Sequence, residues 1–136
     1  MVAALKILDG KVRAQGSANY LRVSWGAQGL SGTELKDAVD ALVFMSHREG
    51  RDGLLLLPDR GAEEQLSDRR FWTHLVQSQR FQRIAAVIQN PTIALEVRMS
   101  GAAAGISTRT FGSELAARKW LRESRNAGSE RATLLG

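Results

Sequence analysis

The chain has 136 residues, 43% hydrophobic and 24% charged, which describes one ordinary globular domain able to bury a core without staples and excludes a disordered chain. It contains no cysteine, so disulfides, a thiol nucleophile and thiolate metal sites are excluded. The net charge is +5, and the excess lies wholly in residues 60–136, where twelve basic side chains face seven acidic ones; this permits an anionic partner.

Residues 1–125 are expected to form one domain and 126–136 a frayed tail of small and polar residues. Residues 4–9 read as a short first strand ended by Asp9-Gly10. A second follows at about Tyr20–Trp25, where Leu21, Val23 and Trp25 alternate with Arg22 and Ser24. That period of two predicts a half-exposed strand, antiparallel to the first and near an edge. The polar stretch between them, Lys11 to Asn19, allows either an extra strand or a loop.

Gly29 and Gly32 break the chain, and Ser31 or Thr33 can cap the helix that follows. Leu35, Ala38, Val39, Leu42 and Met45 recur at three- and four-residue spacing on one face of that helix. Its end is marked by His47-Arg48-Glu49-Gly50. Next comes Leu54-Leu55-Leu56-Leu57, bounded by Arg51-Asp52-Gly53 and Pro58-Asp59-Arg60-Gly61. Four large aliphatic residues in a row cannot alternate between core and water, so this strand is expected at the sheet centre with both faces covered.

Residues 62–79 suit a second helix, with Leu66, Phe71, Leu75 and Val76 toward the sheet and Glu63 and Glu64 in its first turn. Arg83 to Ile88 is a further buried parallel strand. Asn90-Pro91 then supplies a cap and a first-turn proline for a third helix, which runs to the small residues Ala102-Ala103-Ala104. Ile106 to Phe111 makes an edge-like fifth strand, and Gly112-Ser113 introduces a last helix. The fold class is therefore α/β, with a five-stranded, mixed and mostly parallel sheet covered by four helices.

Three segments carry a resemblance to a known family. Arg80-Phe81-Gln82-Arg83-Ile84-Ala85-Ala86-Val87, the closing Phe111-Gly112-Ser113-Glu114-Leu115-Ala116-Ala117-Arg118-Lys119-Trp120-Leu121, and Phe71-Trp72 in the second helix resemble the SpoIIAA-like (STAS-like) family over about residues 3–123. The resemblance implies a small α/β module used in bacterial regulation or as an accessory binding domain, without catalysis. In the family's anti-sigma-factor antagonists, the loop after the central strand carries an Asp-Ser pair whose serine is phosphorylated. Here that loop reads Pro58-Asp59-Arg60-Gly61-Ala62, with no serine or threonine before Ser67, and no phosphosite is assigned.

Candidate binding residues are those expected in the loops at the C-terminal ends of the parallel strands: Asp59, Arg60, Gln89 and Asn90. A helix N-terminus beside Arg60 could receive an anion, although Asn90 and Asp59 also suit plain capping and turn roles. Arg118, Arg122 and Arg125 form a basic stripe on the last helix that could meet phosphates. Few aromatics accompany it, so nucleic acid is the disfavoured partner and sequence reading is not expected. Phe44, Met45, Phe71, Trp72 and Met99 could surround an apolar cleft. His47 and His74 lack ligand spacing, so no metal is expected. Neither a nucleophile elbow nor a glycine-rich phosphate loop occurs, and no cofactor is expected. Without a signal-peptide start or an apolar run of roughly 20 residues, a cytoplasmic location without membrane insertion is expected. The function these features favour is protein–protein interaction through the loops after the third and fourth strands, or through the second helix. The rival is a binder of a small apolar or anionic ligand in a cleft at the strand C-terminal ends, and a weaker third reading is non-specific nucleic-acid binding through the basic C-terminal helix.

Overall fold

A computed structural model describes residues 5–8, 10–26 and 29–123. The sheet contains β1 (Leu5–Ile7), β2 (Val12–Ser17), β3 (Tyr20–Trp25), β4 (Gly53–Pro58), β5 (Arg83–Val87) and β6 (Ser107–Phe111). Its helices are α1 (Gly32–Glu49), a 3-10 helix (Arg60–Ser67), α2 (Arg69–Ser78), α3 (Pro91–Ala103) and α4, which is described over 114–123. The expected α/β class with a mixed, mostly parallel sheet is what the molecule shows. Among the described residues the sheet has six strands in the order β1-β2-β3-β4-β5-β6, so Lys11 to Asn19 carries a strand of its own.

That extra strand changes the position of Tyr20–Trp25. β3 pairs antiparallel with β2 and parallel with β4, so it lies inside the sheet instead of beside β1 at an edge. Its alternation has another origin. Leu21 and Val23 enter the main core, while Arg22 and Ser24 face a side that is only partly covered.

The leucine run sits as its composition requires. Leu54, Leu55 and Leu56 are at most 1% exposed. Leu54 and Leu56 join the larger core with α1, α2 and α3; Leu55 joins a smaller core on the opposite face with Tyr20, Ala85, Ala117 and Leu121. Each fully buried leucine contributes about 2 kcal/mol. Because β3 to β6 follow one another in sequential parallel order, right-handed crossovers place their connecting helices on one side. Among the described residues, only α4 covers the other.

α1 begins at Ser31, which forms a reciprocal capping box with Glu34, and ends at Gly50 in the left-handed region at φ 68°. The single helix expected over 62–79 is two. Asp68 adopts an extended conformation, caps α2 and separates it from the 3-10 helix. This break turns Val76 away from the sheet and leaves it exposed. α3 starts on Asn90 and Pro91 as the sequence predicts. Gly101 of α3 lies against Thr108 of β6, so the small-residue end of this helix includes a close approach. The expected 126–136 tail and the domain limit at residue 125 lie outside the described residues, as does Asp9.

Candidate functional site

The four strand-end candidates share one end of the sheet but do not line one cleft together: Asn90 borders an open recess beside Glu64, Asp68 and Glu96, and Asp59, Arg60 and Gln89 do not. The Asp59 carboxylate caps the 3-10 helix by accepting the Arg60 N–H at 2.9 Å, and the Arg60 side chain is exposed. The Asn90 side chain accepts the N–H groups of Thr92 and Ile93 at 2.9 and 3.2 Å. The Gln89 amide donates to the Gly112 carbonyl at 2.9 Å. Between them lies Glu63, buried to 5% exposure, whose carboxylate accepts the N–H groups of Gln89 at 2.7 Å and Asn90 at 3.1 Å. The donors that could have received an external anion are held by an internal one. The chain shows Glu63 only as a first-turn acid; the partner groups lie 26 and 27 residues away, across the sheet.

Topology adds a second reason. Ligand crevices in open α/β sheets occur where the strand order reverses, and this order never reverses. The other helix starts are also self-capped: α1 by Ser31, α2 by Asp68, and α4 by the Ser113 hydroxyl accepting from Ala116.

Of the aromatic and methionine residues that could surround one cleft, Trp72 and Met99 share a groove between α2 and α3, and the other three do not line it. Phe44 and Met99 are 65% and 62% exposed on α1 and α3, whereas Met45, Phe71 and Trp72 are core. The Trp72 indole donates to the Leu66 carbonyl at 2.7 Å, and its ring meets Phe71 edge-on at 5.5 Å. A cavity of about 20 Å³ lies between Trp25, Leu30, Leu35, Leu66 and Phe71. It has room for about one water and not for a metabolite.

The groove between α2 and α3 lies elsewhere and is open. Its volume is about 730 Å³, and its walls include Trp72, Thr73 and Val76 from α2 and Met99, Ser100 and Ala103 from α3, with Arg69 and Glu96 at its margins. The small side chains of α3 leave this space unfilled.

Of the arginine stripe, Arg118 and Arg122 lie on the described part of α4, while Arg125 falls outside the described residues. Arg118 is partly engaged: its Nε donates to the Tyr20 hydroxyl at 3.1 Å, and it lies 3.7 Å from Glu114. Glu114 also receives two hydrogen bonds from Arg22 on β3, at 2.9 and 3.1 Å. The Arg22 hydrogen bond holds the Glu114 carboxyl below the usual carboxylate range despite its partial burial. Burial pushes the Tyr20 phenol up, but hydrogen bonds with Ser17 and Arg118 and the charges of Arg118 and Arg122 bring it below the ordinary tyrosine value. Trp120 tilts against Phe111 at 5.9 Å, with the Arg109 guanidinium 5.9 Å from its ring centre. Arg22 and Arg109 were not visible as neighbours of this helix, because strand pairing brings them there from remote segments.

His47 is exposed on α1 and His74 half-buried on α2. Among the described residues, no three histidine or acidic side chains group as metal ligands, and no helix is long and apolar enough to cross a membrane. No family model, no curated protein and no solved structure matches this chain.

Proposed function

We propose that the protein is a non-catalytic, STAS-like regulatory or accessory module that receives an amphipathic helix of a partner protein in the groove between α2 and α3. The observation carrying this reading is the open groove itself, with apolar Trp72, Val76 and Met99 on its walls and one charge of each sign at its margins. An amphipathic helix would set two apolar residues one turn apart between these walls and pair its flanking charges with Arg69 and Glu96. The closed strand ends support the second helix over the loops as the binding element. Exposed Val76 and Met99 also lack the structural duty that a buried residue has.

The test is recovery of a partner by the full chain and by Val76→Glu/Met99→Glu, whose side chains are exposed and whose thermal midpoint should match that of the wild type. The expected result is loss of the partner in the double variant and retention in Asp59→Lys/Arg60→Glu. A partner kept by the first variant and lost by the second would move the site to the strand ends. Stabilisation of the wild type by a fatty acid, abolished by Met99→Glu, would instead make the groove a ligand carrier.

A further inference from the structure

We infer that the face of the sheet opposite α1, α2 and α3 binds the phosphate backbone of a nucleic acid duplex, independently of the groove and without reading sequence. The inference begins with strand register. Val12 and Ala14 of β2 enter the main core, which turns Arg13 and Gln15 to the other face. Arg13 is paired with Ser24 and Gln15 with Arg22, so the two arginines are diagonal neighbours roughly 7–8 Å apart. α4 lies beside them on the same face and brings Arg118 against Tyr20 and Glu114 against Arg22. Arg122 follows one turn after Arg118, Lys119 is exposed beside it, and Arg109 of β6 reaches the far side of the helix at Trp120.

Acidic partners for these cations are few. Among the described residues of this face, Glu114 is shared by Arg22 and Arg118, and Glu123 sits at the end of the described helix. Asp52 pairs with the buried Arg83. The opposite side carries no such excess: α1 alone sets Glu34, Asp37, Asp40 and Glu49 against Lys36 and Arg48. The positive charge is thus gathered on one face by residues from β2, β3, β6 and α4.

Duplex phosphate fits this surface better than the other polyanions. The cations extend from β2 to β6, roughly 19 Å at the usual strand spacing. A duplex of that length carries roughly 11 phosphate charges. Most of the cations are arginine, whose planar fork matches phosphate. Single strands need exposed rings for stacking, but Tyr20 is fully buried and Trp120 is half-buried beneath Arg109. An anionic membrane needs an apolar stripe as well as charge, and Leu115 is the one exposed large apolar side chain on the described part of α4.

Fluorescence anisotropy with labelled duplex DNA and duplex RNA tests this, using the full chain across a salt series. Arg13→Gln/Arg122→Gln removes one cation from β2 and one from α4, neither in an ion pair with a described residue. Expected are measurable binding to duplex at low salt, affinity weakened at least about tenfold in this variant, and a log–log salt slope reduced by about two. Lys36→Gln/Arg48→Gln, which removes equal charge from α1, should retain wild-type affinity to within about twofold. The DNA and RNA arms show which source of duplex phosphate is preferred, and binding to either supports the inference. Equal weakening by both variants would reduce the effect to net charge and overturn it. Absence of duplex binding at low salt, or tighter binding to phosphatidylserine vesicles or polyglutamate, would overturn it as well.

Discussion

The Glu63 carboxylate joins two loops that are distant in the chain, because it accepts backbone donors at the start of α3 while sitting on the 3-10 helix after β4. Glu63→Ala leaves both donors without a partner, so a loss of about 2 kcal/mol is expected in urea unfolding. Glu63→Gln keeps one acceptor oxygen and should lose less. At Gly101 the opposing effects differ in sign. Alanine favours a helix over glycine by about 1 kcal/mol, but a Cβ there meets the Oγ1 and Cβ of Thr108. Overpacking costs about 1–3 kcal/mol, so Gly101→Ala should destabilise despite its propensity, and Thr108→Ala should relieve part of that loss in a double-mutant cycle. The Asn90-Pro91 start could be read directly, because a cap acts on the next three residues. Glu63 could be read only as a first-turn acid, since its partners are fixed by the sheet.

At the scale of elements, legibility followed locality. The leucine run, the amphipathic face of α1 and the start of α3 are properties of contiguous residues, and all three are where the sequence puts them. The sequence leaves Lys11 to Asn19 open between strand and loop, because the turn of the β2–β3 hairpin lacks the usual signature. Ser17 pairs with Tyr20, leaving Ala18-Asn19 as a two-residue loop, with Ala18 at φ 46°. Such loops ordinarily mark themselves with glycine or asparagine at the positive-φ position. Left-handed backbone costs an L-residue roughly 1–2 kcal/mol, and glycine avoids this at some entropic loss. Ala18→Gly should therefore raise stability by about 0.5–1 kcal/mol, measured as an increased unfolding midpoint. The break at Asp68 escaped for a related reason: apolar spacing continues through it, while the capping aspartate interrupts only the backbone.

At the scale of the molecule, the sheet has two unequal sides, and among the described residues α4 alone closes the smaller core. Its docking combines the buried Ala117 and Leu121 with polar ties to β3, of which Glu114–Arg22 is bidentate. The lowered Glu114 pKa gives that tie a pH signature. The unfolded chain binds the Glu114 proton at higher pH than the folded chain does, so stability rises with pH across the interval between the two values. The contribution is present above the unfolded value of about 4.3 and is lost as pH falls through the folded one. Glu114→Gln removes it, so the variant should be less stable than the wild type near neutral pH, with the gap closing as the pH drops below about 4. Asp68, also lowered through its Arg70 hydrogen bond, remains in both proteins and cancels in the difference. The same substitution releases Arg22 and Arg118 from their shared carboxylate on the basic face. Duplex affinity should therefore rise in Glu114→Gln while neutral-pH stability falls. If both fell together, displacement of α4 would outweigh the released charge, because a shifted helix would carry Arg118 and Arg122 away from Arg13 and Arg22.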